Sequence, residues 1–285
     1  MKVLVIGSTG MLGHMAFKYL YNLQRYEVFD IVYRKKLRKD SIICDVNKID
    51  DLKKIIEKIK PKIIINCIGA LIKNSKKNQL NAIYLNAFFP HKLREITSKN
   101  NIKIIHISTD CVFDGKSGNY YESSNTNAID LYGKTKSLGE IINSQDLTIR
   151  TSIIGPEIKK NGEGLFHWLL NQNGTINGYV NSIWTGLTTL ELSKILVYTI
   201  ENDLKGLIHL TNGNSISKYE LISLIKYHFN LSNIDVKKCN NDYSNKSLIS
   251  ERSDFKYKIP SYDEMIKDLK VYYDENLNKY PNYSN

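Results

Sequence analysis

The sequence predicts an α/β fold: a doubly wound parallel sheet followed by a smaller mixed α/β lobe. Three observations carry this. Residues 2–150 alternate short β-branched runs with stretches of helical periodicity, the pattern of parallel strands joined by right-handed crossovers. The first such run ends in a glycine-rich turn that opens a helix. After Arg150 the alternation loosens into loop signals, Gly155-Pro156 and Asn161-Gly162-Glu163-Gly164. The division therefore falls at 1–150 and 151–285, with Gly206 to Leu210 returning to the first sheet as a strand.

Lys2 to Ile6 reads as a buried parallel strand. It enters Gly7-Ser8-Thr9-Gly10-Met11-Leu12-Gly13 and then a helix to about Leu23. Strand, turn and helix are the context that G-x-x-G-x-x-G requires. Gly7 permits the turn, Gly10 lets the backbone approach a pyrophosphate, and Gly13 lets helix pack on strand. The helix N-terminus then offers N–H groups and a favourable dipole to the phosphates. This makes the first domain a dinucleotide-binding, Rossmann-type unit.

Val28 to Val32 is the second strand. Arg34, Lys35 and Lys36 follow it, which favours the 2′-phosphate of NADPH. If the strand ended at Phe29, Asp30 could bond a ribose and permit NADH instead. Ile42-Ile43-Cys44 is a short strand leading to Asp45-Val46. Asp45 could bond an adenine amino group or cap the next helix, about Ile49 to Ile59, which ends before Pro61. Lys62 to Cys67 is a further strand, leading to Ile68-Gly69. Leu80 to Lys99 has helical spacing, with Asn86 inside it either bonding a nearby backbone group or facing water. Ile102 to Ile107 is a strand ending at Ser108-Thr109-Asp110, and Leu147 to Arg150 is a sixth. Gly7, Asn66 to Gly69 and Ser108-Thr109 all fall at strand carboxyl ends, so they converge on one crevice.

In the second half, Leu165 to Asn171, Leu190 to Ile200, Lys218 to Phe229 and Asp263 to Tyr273 read as helices, with Ser217 as an N-cap. The tail after Tyr280 is expected to fray. This half reads as the substrate-binding lobe over the crevice.

Composition narrows the function classes. Hydrophobic residues are 42% and charged residues 24% of the 285, ordinary for a globular protein. No apolar run reaches the roughly 18 residues of a membrane span, and the N-terminus enters a strand at once, so a cytoplasmic protein without membrane attachment is expected. Cys44, Cys67, Cys111 and Cys239 are widely separated, which argues against disulfides and a metal site. The net charge of +11 comes from dispersed lysines without a nucleic-acid motif, and suits an anionic nucleotide cofactor and substrate.

Tyr132-Gly133-Lys134-Thr135-Lys136 carries the candidate chemistry. Tyrosine and lysine four apart on a helix share a face. A phenol ordinarily ionises near pH ~10. An ammonium about 4 Å from the developing phenolate is worth roughly 4 kcal/mol at an effective dielectric of about 20, enough to make the phenol an acid near neutral pH. A Ser108 or Thr109 hydroxyl beside it could bond a substrate carbonyl.

Together, Gly7-x-x-Gly10-x-x-Gly13, Ser108-Thr109-Asp110-x-Val112-Phe113-x-Gly115, Tyr132-Gly133-Lys134-Thr135-Lys136-x-x-Gly139-Glu140 and Arg150-Thr151-Ser152 resemble the extended short-chain dehydrogenases/reductases, in their dTDP-4-dehydrorhamnose reductase branch. The resemblance implies hydride transfer from NAD(P)H to the 4-keto carbon of a nucleotide-linked 6-deoxysugar. It implies Tyr132 as proton donor, Lys136 lowering its pKa and bonding the nicotinamide ribose, and Thr109 orienting the keto oxygen. It further implies Ser8, Thr9, Met11 and Leu12 with the three glycines at the pyrophosphate, and Asp45, Val46, Cys67, Ile68 and Gly69 beside the adenosine, with Asn86 and Ser108 also toward the cofactor. A homodimer is possible.

Cys111 stands where the branch usually has tyrosine, and Ile153-Ile154 and Trp184 to Thr189 also depart from it. Arg150 to Pro156 and Ser217-Lys218-Tyr219-Glu220-Leu221 are similar to a subgroup of N-acetylated 6-deoxysugar pathways. A UDP-2-acetamido-2,6-dideoxy-4-hexulose therefore stands beside the dTDP sugar as substrate. Two other readings stay open: a non-catalytic dinucleotide-binding regulatory subunit, like that of methionine adenosyltransferase, and a nucleotide-sugar epimerase or dehydratase using Asp110 or Glu122.

Overall fold

The computed structural model describes residues 1–283. In chain order its first half runs β1 (Lys2–Ile6), α1 (Met11–Asn22), β2 (Glu27–Val32), β3 (Ile42–Ile43), α2 (Ile49–Ile59), β4 (Ile63–Asn66), α3 (Ile72–Lys77), α4 (Gln79–Ala82), α5 (Phe89–Thr97), β5 (Lys103–Ile107), α6 (Leu131–Leu138) and β6 (Leu147–Arg150). The second half runs β7 (Ile153–Ile154), α7 (Leu165–Leu170), β8 (Gly174–Tyr179), β9 (Ser182–Trp184), β10 (Leu187–Thr188), α8 (Thr189–Glu201), β11 (Gly206–His209), β12 (Ile216–Ser217), α9 (Lys218–His228), β13 (Ile234–Cys239), β14 (Ser244–Asn245) and α10 (Tyr262–Asp274).

The main sheet is parallel, in the order β3-β2-β1-β4-β5-β6-β11. Strand order reverses between β1 and β4, which places a crevice at their carboxyl ends. β11 returns beside β6, as the sequence led us to expect. Alternation along the strands divides the core. Val3, Val5, Ile63, Ile65 and Ile105 face α1 and α8, whereas Leu4, Ile6, Ile64 and Ile104 face α2 and α5. With both faces covered, the strands read as continuous apolar runs. The α1–α8 cluster continues into α9, α10 and the buried Tyr280, so lobe and sheet share one core.

The stretch expected as one helix from Leu80 to Lys99 is broken. α4 passes into a π-helical segment, Ile83–Phe88, and then α5. The cause is Pro90. Without an N–H it cannot donate to the carbonyl four residues back, which is that of Asn86. Gly139 packs directly against that carbonyl: a Cβ at Gly139 would lie 1.8 Å from Asn86 O. A π-bulge here lets the end of α6 approach. α3 and the lobe strands β7–β10 and β12–β14 were not legible in the sequence.

The tail expected to fray is tied down over its described part. Tyr280 is buried against His14 and stacks on Tyr273, while the Tyr283 hydroxyl accepts from the Glu157 N–H at 3.0 Å. Residues 284–285 lie outside the described residues.

Candidate active site

Gly7 adopts φ +86°, and a Cβ there would meet Ile68 Cγ1 at 2.9 Å, where the β4 end crosses the turn. A Cβ at Gly13 would stand 2.1 Å from Gly7 O, so α1 packs directly on the turn. Gly10 caps α1 with no side-chain bond, and the first turn carries no acidic residue. α6, α8, α9 and α10 are instead capped by Asp130, Thr188, Ser217 and Ser261. The leading N–H groups of α1 thus keep no side-chain partner and suit a phosphate. The Gly7–Gly13 cradle fits a dinucleotide.

At the outer end, β2 runs through Val32, so Asp30 lies inside the strand. It is buried, accepts from the Ser8 hydroxyl at 2.8 Å, and pairs with Arg38 at 3.3 Å. That removes it from the ribose position considered for NADH. Arg34, Lys35 and Lys36 follow the strand end and are exposed, with the Arg34 guanidinium folded over the Tyr33 ring at 4.5 Å. Asp45 accepts from the Asn47 N–H at 3.0 Å and does not cap α2, whose N-cap is Lys48. Beside it, Tyr33, Ile43, Cys44, Asp45 and Lys48 line a recess of about 490 Å³.

At the inner end, α6 brings Tyr132 and Lys136 to the end of β5. Gly133 makes this possible, since a Cβ there would sit 2.1 Å from Cys111 O. Lys136 is buried, and its Nζ donates to Ile107 O at 2.6 Å. Burial lowers its pKa to about 8, against the pull of Glu140. Tyr132 does not follow the sequence expectation. Burial pushes its phenol well above the ordinary value, and the Thr109 hydroxyl is the neighbour that opposes this. Thr109 itself donates to Asp110 Oδ1 at 3.0 Å and accepts from the Cys111 N–H at 3.1 Å. Burial raises Cys67 and Cys111 to about 12, leaving both as inert thiols.

Two residues expected to face the cofactor have protein partners. The Asn86 carboxamide accepts from the Ala70 N–H at 2.8 Å and donates to Ala70 O and Thr135 Oγ1, tying the β4 loop to α6. The Ser108 hydroxyl donates to Glu140 at 2.7 Å. Glu140 in turn holds Arg150 through two bonds of 2.8 and 2.7 Å, both side chains being buried. Arg150 also lies over the Phe113 ring at 5.2 Å. Sequence reasoning matched Glu140 and Arg150 to a motif without joining them. The available signal was a lone arginine ending a buried strand, which needs an acidic partner.

Glu122 is similarly committed. Burial pushes its carboxyl up, but bonds from the His209 and Glu251 N–H groups and the Ser250 hydroxyl outweigh this and hold it low. Among the described residues no cluster of His, Cys, Asp and Glu could hold a metal ion, and no helix is long and apolar enough to cross a membrane.

This arrangement defines a Rossmann-type protein with a tyrosine–lysine helix at the end of β5 and a glycine-rich turn at the end of β1, two strands away in the same sheet. More narrowly, the chain belongs to the RmlD substrate binding domain family, whose model matches residues 1–255. It is 26% identical over 231 residues to a dTDP-4-dehydrorhamnose reductase of Aggregatibacter actinomycetemcomitans, spanning 77% of this chain and 76% of that one. It is 26% identical over 250 residues to methionine adenosyltransferase 2 subunit beta of Xenopus laevis, spanning 81% and 72%. Among solved structures, a hypothetical dTDP-4-dehydrorhamnose reductase from Sulfolobus tokodaii superposes with TM-score 0.76 at 27% identity, covering 87% of this chain and 92% of that one. The Bacillus anthracis dTDP-4-dehydrorhamnose reductase, solved in complex with NADP, shares the fold with TM-score 0.80 at 23% identity, covering 95% and 99%.

Proposed function

We propose that this chain reduces the 4-keto group of a nucleotide-linked 6-deoxyhexulose, with NADPH as the reductant. The carrying observation is the convergence of Tyr132, Thr109 and Lys136 at the β5 end, in the sheet whose β1 ends in the Gly7–Gly13 turn. Bound NADPH supplies the hydride. Gly7, Ser8, Thr9, Gly10, Met11, Leu12 and Gly13 hold its pyrophosphate, Arg34 and the lysines after it take the 2′-phosphate, and Asp45 to Val46 and Cys67 to Gly69 flank the adenosine.

The proton comes from Tyr132. As the sugar oxygen gains charge, the phenol donates to it, and the Lys136 ammonium one turn away stabilises the phenolate. Burial keeps the phenol protonated, which is the form a reductase needs at the start of each turn. For Thr109 to bond the keto oxygen, its proton must leave Asp110 for the substrate. Asn86, Ser108, Glu140 and Arg150 fix the relative positions of these elements. The 26% relative among dTDP-4-dehydrorhamnose reductases supports the substrate class. The sugar is a dTDP- or UDP-linked 4-hexulose, the UDP form carrying a 2-acetamido group.

The similarity to methionine adenosyltransferase 2 subunit beta favours a second reading, a dinucleotide-binding regulatory subunit without turnover. NADPH oxidation against a panel of dTDP- and UDP-4-keto-6-deoxysugars separates the two. Turnover of one panel member supports the reductase. NADPH binding without oxidation by any member supports the regulatory reading.

A further inference from the structure

Two lysines of the lobe, Lys218 and Lys246, lie near the Cys111–Gly115 turn, and among the described residues neither has a carboxylate at ion-pair distance, Asp110 acting on Lys218 only through space. Lys218 and Lys246 follow β12 and β14, the strands that flank β9 in a three-stranded sheet. β9 ends at Trp184, which is buried, and the Lys218 ammonium lies over its ring at 5.2 Å. The Lys246 stem runs beside Gly115, where a Cβ would meet its Cγ at 2.9 Å. The Gly115 carbonyl accepts from the Asn245 N–H at 2.8 Å, which fixes β14 against the Cys111–Gly115 turn. The fields of both lysines reach this turn, Lys218 at Asp110 and Cys111 and Lys246 at Cys111. Among the described residues neither ammonium makes an ion pair or a hydrogen bond. Lys103 and Lys194, also partly buried, each have a carboxylate partner.

A partly buried ammonium without an ion-pair partner costs stability. We infer that Lys218 and Lys246 receive the diphosphate bridge of the substrate. This rests on the nucleotide-sugar reading and assigns that substrate's anion to particular side chains. The chemistry fits the placement. With C4 of the sugar between Tyr132 and the cofactor, the anomeric oxygen points away across one pyranose ring, so the diphosphate leaves the reacting centre on the lobe side. It brings two negative charges that Lys136, already bonded to Ile107 O, does not neutralise. Lys218 and Lys246 follow the two strands on either side of β9, so two cations rather than one are offered to a two-phosphate bridge, and the Lys218 ammonium lies against the Trp184 ring.

The test is calorimetric binding of dTDP and UDP, with thymidine and uridine as controls, to the NADP⁺-loaded protein. Lys218→Met and Lys246→Met keep the apolar stem and remove the charge. Loss of one charged hydrogen bond predicts nucleoside diphosphate affinity falling about 10- to 100-fold in each, with NADP⁺ affinity unchanged. Lys218→Arg, which keeps the charge, should restore most of the affinity. Turnover should then show a raised KM at little-changed kcat, the signature of binding shared by ground and transition states. Unchanged diphosphate affinity in both Met variants, or an equal loss for the nucleosides, overturns the assignment while leaving the reductase reading standing. Failure of the wild-type protein to bind either diphosphate while it binds NADP⁺ overturns both.

Discussion

Replacing Glu140 by glutamine probes the support beneath the candidate catalytic groups. Glu140 receives three hydrogen bonds, two from Arg150 and one from Ser108, at 2.7–2.8 Å, and both charged side chains are only 4% exposed. Glutamine keeps the volume but presents one NH₂ to groups that are themselves donors, and strands the buried guanidinium. Breaking a buried pair from one side costs about 3–5 kcal/mol, against on the order of 5–15 kcal/mol for a whole domain. The expected loss in melting temperature is on the order of 10 °C. Thermal and urea unfolding followed by circular dichroism measure it, with Arg150→Met and the double variant Glu140→Gln/Arg150→Met completing a mutant cycle. The double variant should be more stable than Glu140→Gln, because the stranded charge is gone. Since Ser108 precedes Thr109 and Glu140 lies one turn after Lys136, turnover should fall further than NADPH affinity. A single variant within about 1 kcal/mol of wild type would show that the network does not hold the site together.

Three further outcomes follow from the same geometry. Arg34→Ala should weaken NADPH binding by about 10-fold with little effect on NADH, measured by fluorescence titration, and equal effects would remove Arg34 from the 2′-phosphate. Lys136 must be charged to stabilise the phenolate, and its pKa in the free protein is about 8. Its ammonium is therefore present below that pH and lost above it, so kcat/KM should decline as pH rises through about 8, whereas a flat profile across that range would contradict the role. Gly139→Ala forces a Cβ to within 1.8 Å of Asn86 O and should destabilise the protein by about 1–3 kcal/mol in urea unfolding, unless the π-helical segment can shift.

The parts of this architecture legible in the sequence depend on local pattern. β1, the glycine turn and α1 could be placed because β-branched run, turn and helix each carry their own signal. α2 was bounded by Pro61, and α9 by Ser217, whose capping box with Glu220 is present. What escaped depends on partners distant in the chain. The π-helical segment arises from Pro90 together with Gly139, some fifty residues on, and periodicity alone reads through it. The lobe strands β7, β9, β10, β12 and β14 are two or three residues long, too short to carry an alternation. Tyr280 and Tyr283 look like a frayed tail until His14, His167 and Glu157 are brought to them. In the site, Tyr132 and Lys136 could be paired from helical spacing. The state of the phenol could not, because it is set by burial, which helical spacing does not reveal.

Hydride delivery with Tyr132 as the proton source is tested most directly by single-turnover reaction with NADPH deuterated at the transferring position. Product mass spectrometry then locates the label. The account predicts deuterium at C4 of the nucleotide sugar with the wild-type protein, and a rate lowered about 10²- to 10⁴-fold in Tyr132→Phe with NADPH binding intact. Label absent from C4, or a Phe variant that reacts at the wild-type rate, would contradict it.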